Sequence, residues 1–184
     1  MKELSLNILD IAENSLKAGA TLTEISIKEN EDELTVEIKD NGCGMSKEIL
    51  ESVQNPFYTT RTTRRVGLGI PLFKMAAEQT GGTLEIYSKT REEFPGEHGT
   101  VVRARFFKNH LDFTPLGDVV STITTLIHGH PEVDFLFTHE VKDGEISLDT
   151  RQIKEVLEDV PINSFEILAW IEENLKEQYN ELAK

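Results

Sequence analysis

Asp10, Glu13 and Asn14 lie within five residues of one another near the start of a 184-residue chain, in a stretch with helical spacing. Asp10 and Asn14 are i and i+4, so a helix sets them on one face a turn apart. An amide oxygen is a hard ligand suited to Mg²⁺, which binds few protein groups together with phosphates and waters. A carboxylate one turn away could hold or deprotonate an attacking water. An ordinary solvated helix face uses the same residue types, so this motif alone does not choose.

Three further motifs follow in order. Asp40-Asn41-Gly42-Cys43-Gly44-Met45 stands at a strand end. A carboxylate there can accept from the exocyclic amine of a purine, and the glycines let backbone approach a base and supply positive φ. A plain Asp-Asn-Gly turn has the same composition. Next, Asn55-Pro56-Phe57-Tyr58 leads into Thr59, Thr60, Arg61, Thr62, Thr63, Arg64 and Arg65. Three guanidinium groups and four hydroxyls in that run form a local anion receptor, or else a flexible basic loop. Last, Gly67-Leu68-Gly69-Ile70 opens a helical stretch, where free N–H groups and the helix dipole favour phosphate. A lone G-x-G is weak, and this one is neither a Walker A loop nor a Rossmann fingerprint.

The elements that must position these motifs are readable from periodicity. Residues 3–18 read as an amphipathic helix stopped near Gly19. Alternation predicts paired strands at 22–29 and 34–39, and again at 83–88 and 100–107. Ser46 caps a short helix, residues 54–67 read as a loop, and 68–80 as a helix ended by Gly81-Gly82. Beyond Asn109 the spacing predicts a helix near 119–127, strands at 133–139 and 145–148, and helices near 150–158 and 164–182. The closing helix carries Phe165, Leu168, Ile171 and Leu175 as a docking or core face, with Trp170 as core or interface.

Charge divides the chain in the same place. Residues 1–108 hold 14 basic and 17 acidic residues, and residues 109–184 hold 5 and 16. The net charge of −14 is therefore split −3 and −11. This predicts two regions, one at 1–108 that carries the four motifs and an acidic α+β extension at 109–184. Such a balance argues against nucleic-acid binding and against an anionic membrane surface. Cys43 is the only cysteine, so no internal disulfide framework forms. No apolar run approaches a membrane span or a signal sequence, so the expected location is the cytoplasm.

The order and spacing of the four motifs over residues 1–107 resemble the Bergerat-fold ATPases of the GHKL superfamily. The stretch Glu13-Asn14-Ser15-Leu16-Lys17-Ala18-Gly19-Ala20-Thr21 is similar to the N box of mismatch-repair members. Pro56-Phe57-Tyr58-Thr59-Thr60-Arg61 is similar to the F box of certain histidine kinases. The resemblance implies ATP and Mg²⁺ as ligands. Asn14 would bind Mg²⁺ and Asp40 the adenine amine, while Gly42 and Gly44 line the base. Gly67, Leu68 and Gly69 would meet phosphate with Thr59, Thr60, Arg61, Arg64 and Arg65, and Thr100 would stand beside adenine. The implied fold is a two-layer α/β sandwich, with a mixed, mostly antiparallel sheet and helices on one face.

Two departures bear on chemistry, one of them a lid between Phe57 and Gly67 that is short compared with many relatives. Hydrolytic members place Glu four residues before the Mg²⁺ asparagine, whereas this chain has Asp10, a shorter candidate general base. Glu13, about a hundred degrees around the helix from Asn14, fails that geometry. Hydrolysis is therefore expected to be slow. Nine residues precede Asp10, so an upstream dimerisation and phosphoacceptor hairpin is not expected. His139-Glu140 superficially resembles an H box, but in a strand-like run. His128-x-His130 supplies only two ligands, too few for a metal site, and Cys43 is expected to pack near the base.

Three functions follow. One is an ATP-binding, signal-transducing module with slow hydrolysis that controls a protein partner. Another is a protein kinase acting in trans on a His or Ser, and the third is a non-catalytic subunit stabilised by nucleotide. The whole chain also resembles small bacterial ATP-binding proteins of anaerobes, often encoded near iron–iron hydrogenase components. That implies association with a redox enzyme. A homodimer is a further arrangement left open.

Overall fold

The computed structural model describes residues 3–54 and 68–184. Helix α1 (Leu4–Lys17) buries Leu4, Ile8, Ile11 and Ala12, whose spacing keeps them on one side. Its first N–H groups lack intrahelical acceptors. Two are satisfied from far along the chain: Leu4 donates to the Pro115 carbonyl at 2.9 Å and Ser5 to that of Leu116 at 2.8 Å.

Strands β1 (Leu22–Glu29) and β2 (Glu33–Asp40) form the first hairpin. Asn30 turns it, its Oδ1 accepting from the N–H groups of Asp32 and Glu33. Helix α2 (Lys47–Val53) starts on Ser46, whose hydroxyl accepts from Ile49 at 3.4 Å. Helix α3 (Gly69–Gln79) leads into β3 (Thr83–Lys89) and β4 (Gly99–Phe107). Helix α4 (Val119–Gly129), β5 (Asp134–Val141), β6 (Gly144–Asp149), α5 (Thr150–Leu157) and α6 (Phe165–Leu182) complete the chain.

The six strands make one sheet in the order β3-β4-β2-β1-β5-β6. Neighbours are antiparallel except β1 and β5, which run parallel. This is the expected mixed, mostly antiparallel sheet. Alternate residues point to one face, so Ile38, Ile25 and Phe137 stand side by side on β2, β1 and β5. Helices α3, α1, α4 and α6 cover that face. The opposite face carries cross-strand ion pairs, among them Arg103–Glu37 and Lys39–Glu24. The step from Lys108 to Asn109 does not interrupt the sheet: β5 and β6 extend it beside β1, and Phe135, Phe137 and Ile123 join the same core.

Edge strand β6 is covered by α6. Gln178 accepts from the Ser147 N–H at 2.9 Å and donates to the Ser147 carbonyl at 3.0 Å. That removes a free edge pair that could template association.

A buried polar group locks the two regions together. His139 on β5 is 3% exposed. Its Nε2 lies 3.1 Å from Glu29 of β1, and its Nδ1 lies 2.8 Å from the Tyr179 hydroxyl of α6. Glu29 also accepts from Lys108 at 2.6 Å. These partners, the His139 hydrogen bond first, hold the Glu29 pKa down to about 2 against the opposing effect of burial. Since Glu29 is ionised, Nε2 must be the donor. Burial and the Glu29 charge push the Tyr179 phenol up, keeping its proton. Both ring nitrogens of His139 are thus engaged and the ring is buried.

The depressed Glu29 pKa stabilises the fold above its ordinary value of 4.5, and that contribution is lost as pH falls from there towards about 2. Glu29→Gln is expected to cost about 2 kcal/mol at neutral pH. The deficit should shrink through that acid window, as followed by urea denaturation at stepped pH.

Candidate functional site

The three motifs that reach into the described residues, those of Asp10, Asp40 and Gly69, meet along one face of α1. Asp10, Asn14 and Ala18 follow at four-residue spacing, so they line a single side over about 12 Å. At one end, a Cβ placed on Gly69 would lie 3.2 Å from Asp10 Cβ and 4.0 Å from Asn14 Nδ2. The first turn of α3 is thus seated against Asp10 and Asn14, so closely that a side chain at Gly69 would need Asp10 to shift by a few tenths of an ångström. That turn contains no acid, and Pro71 has no N–H, so Gly69 and Ile70 supply its leading donors. Leu68 precedes it with an exposed side chain.

At the other end, a Cβ on Gly42 would lie 2.8 Å from Ala18 Cβ. The Cys43 N–H donates to the Ala18 carbonyl at 2.9 Å. The loop after β2 is therefore bonded to the end of α1. Asp40 is nearly buried, and its Oδ1 accepts from the Gly42 N–H at 2.9 Å. Asn41 faces elsewhere, tying the Thr21 and Leu22 N–H groups at 2.8 and 3.0 Å. Gly44 turns with φ +74, and a Cβ there would stand 2.0 Å from the Lys89 carbonyl oxygen.

Register then sets Thr23, Asp40, Thr100 and Ser88 side by side on β1, β2, β4 and β3. The Ser88 hydroxyl lies 3.1 Å from the Gly99 carbonyl, which can only accept. Ser88 therefore donates there, and Thr100, 2.8 Å away, donates to Ser88. Ser88 also accepts from the Met45 N–H at 2.7 Å. The Thr100 hydroxyl is held in place with lone pairs to offer beside Asp40. His98 Nδ1 donates to the Gly42 carbonyl at 2.6 Å and braces the loop. Thr23 Oγ1 is buried next to Asp40 with no hydrogen-bond partner among the described residues.

Asp10, Asn14, Asp40, Gly42, Gly44, Leu68, Gly69 and Thr100 all lie in or beside this cleft. Thr59, Thr60, Arg61, Arg64, Arg65 and Gly67 lie outside the described residues. Partial burial raises the Asp10 pKa above the ordinary 3.8 and Lys17 opposes the shift, although the carboxylate keeps contact with solvent. Glu13 points away, its carboxylate 3.4 Å from His130 Nε2. His130 is thereby engaged with Glu13 and, at 3.7 Å, Glu132. Among the described residues no cluster of three or more His, Cys, Asp or Glu is placed to hold a metal. Cys43 differs from expectation: its side chain is exposed, and its backbone makes the packing contacts. Thr23, Ser88 and His98 belong to none of the four motifs. Only strand register and loop closure bring them to the site.

Residues 2–110 match the family described as histidine kinase-, DNA gyrase B- and HSP90-like ATPases, more than half of the chain. The chain belongs to this family. It is 34% identical over 94 residues to the sensor protein SrrB of Staphylococcus aureus, covering 48% of this chain and 16% of SrrB. It is 32% identical over 94 residues to the sensor protein KdpD of Clostridium acetobutylicum, covering 48% of this chain and 10% of KdpD. The chain thus spans only a small part of these curated relatives. Its fold is similar to the Aquifex aeolicus MutL ATPase domain complexed with ADP, at TM-score 0.55 and 19% identity, covering 85% of this chain and 69% of that one. The N-terminal domain of a DNA repair protein is similar at TM-score 0.58 and 16% identity, covering 81% of this chain and 52% of that one. Both likenesses reach past residue 110 into the extension.

Gly19 and Gly44 offer a matched comparison. Their φ values are +75 and +74, but nothing lies within 4 Å of a Cβ on Gly19. Gly19→Ala is expected to cost about 1 kcal/mol from its backbone conformation alone. Gly44→Ala should cost clearly more, because the loop must also move off Lys89. Urea denaturation of the two variants checks this.

Proposed function

We propose that this ATPase-family chain binds Mg-ATP in the cleft along α1 and uses nucleotide binding or slow hydrolysis to regulate a partner protein. The observation that carries this reading is the three-point seating of α1. Its Asp10–Asn14–Ala18 face joins a purine-type acceptor, Asp40 beside Thr100, to a helix start suited to phosphate. The close approaches at Gly42 and Gly69 leave backbone, not side chains, facing that cleft.

Asp40 accepts from the adenine amine, with Thr100 positioned by Ser88 beside it. Gly69 and Ile70 direct N–H groups towards phosphate, and Arg61, Arg64 and Arg65 neutralise charge on it. The residues fit Mg²⁺ through the hard amide oxygen of Asn14, and the ion when bound offsets phosphate charge. Asp10 receives the proton of an attacking water. Its raised pKa leaves it a better base than an ordinary aspartate, while its short side chain keeps the rate low. We place the protein in the cytoplasm, with a redox-enzyme component as the first partner to test by pull-down with and without Mg-ATP.

Calorimetry with Mg-ATP is expected to show binding by the native chain and none by Asp40→Asn. Absence of binding to the native chain would overturn the proposal. γ-Phosphate release should fall about 100-fold in Asp10→Asn. The native rate should decline as pH drops through the Asp10 pKa, which lies above 3.8, and Asp10→Asn should lose that acid limb. Bound ATP without any release would mark a non-catalytic subunit. Labelled phosphate appearing on an added partner would mark a kinase acting in trans.

A further inference from the structure

Helix α5 has an apolar side that the fold covers only in part. Ile153, Val156 and Leu157 share one face, of which Ile153 and Leu157 are half-buried against the core, and Thr150 is the only fully buried residue of the helix. Val156 is 83% exposed. The first half of α6 repeats the pattern: Trp170 is 51% exposed, and only Ile171 and Leu175 of that helix are buried. Between these helices and strands β5 and β6 runs a groove of about 810 Å³. Leu136 and Leu148 contribute from the strands, Val156 and Leu157 from α5, and Ile167 and Trp170 from α6.

Glu145 and Asp149 stand among the lining residues. Residues 130–184 contain 14 acidic and 5 basic side chains. Four of those five cations are already held by carboxylates: Lys142 by Glu31, Arg151 by Asp149, Lys154 by Asp134 and Lys176 by Glu172. The groove is therefore largely apolar inside and set in a net negative region, where Asp149 is paired with Arg151 and Glu145 has no ion-pair partner among the described residues. A second copy of this chain would bring the same acidic face and be repelled. An apolar trough flanked by helices suits the helix-in-groove mode, where anchors at i, i+3, i+4 and i+7 fill the trough.

We propose that this groove receives an amphipathic helix of a partner protein, with apolar anchors on one face and Lys or Arg along its flanks. The site is remote in sequence from the nucleotide motifs, and its binding is measured without nucleotide. Its failure and that of the ATP reading are therefore distinguishable.

Trp170 is the only tryptophan of the chain, so its emission reports the groove directly. The probe is a synthetic Leu/Lys peptide of helical period, with a Leu/Glu peptide of the same pattern as control. The Leu/Lys peptide should bind with a blue shift of Trp170 emission, weaken as salt rises from about 0.05 to about 0.3 M, and outcompete the Leu/Glu peptide. Val156→Asp separates groove docking from plain charge attraction. It adds a negative charge at an exposed position, so attraction alone would tighten binding, whereas docking should weaken it about tenfold. Glu145→Lys should also weaken binding. The proposal is overturned by absence of a Trp170 shift, by equal binding of the Leu/Glu peptide, or by tighter binding to Val156→Asp. It is equally overturned if sedimentation finds a dimer that Val156→Asp dissolves, since the occupant would then be a second copy.

Discussion

The seating of α1 is the constraint on which the rest of the site depends. One side of the helix buries Leu4, Ile8, Ile11 and Ala12 in the core. Another presents Asp10, Asn14 and Ala18 to α3 and to the loop after β2. A single residue of slippage would rotate that face by about 100° and separate both ends of the cleft. The apolar side resists such rotation, because its residues pack against β1 and β2 in fixed register. The carbonyls of Pro115 and Leu116 hold the helix start from beyond the family match.

The segment beyond residue 110 thereby supports the candidate site without carrying one of its motifs. β5 pairs in parallel with β1, the strand that directly follows α1. Parallel pairing places that strand inside the sheet, with β2 on one side and β5 on the other. His139 adds a polar lock at the same junction, linking β1, β5 and α6 through Glu29 and Tyr179. A buried histidine of this kind is costly unless each ring nitrogen finds a partner. Its position among three elements favours this strand alignment over a slipped one, where the imidazole would lose Glu29.

Charge has two different uses here. On the open sheet face, acids and bases alternate across strands, as in Arg103–Glu37 and Lys28–Glu140. Exposed pairs of this kind contribute little individually. In the extension the acids outnumber the bases, and α5 and α6 leave apolar side chains open among them. The net charge of −11 over residues 109–184 thus shares this region with exposed apolar side chains such as Val156 and Trp170.

The amino-acid sequence by itself determined the element types and nearly all their boundaries, because helix and strand periods are local properties. It also determined the order of the motifs and the four-residue spacing of Asp10 and Asn14. The tertiary structure decided which of these groups meet. Thr23, Ser88 and His98 have no local signal, since their place beside Asp40 depends on strand pairing and loop closure between residues far apart in the chain. His139 and Cys43 show the same limit in opposite directions. A strand-borne histidine became a buried hydrogen-bonded group, and a cysteine between two glycines turned its side chain to solvent. The pattern of Ile153, Val156 and Leu157 predicts an apolar face on α5 but not whether anything covers it. Coverage depends on where neighbouring elements end, and here Ile153 and Leu157 pack against the core while Val156 stays exposed.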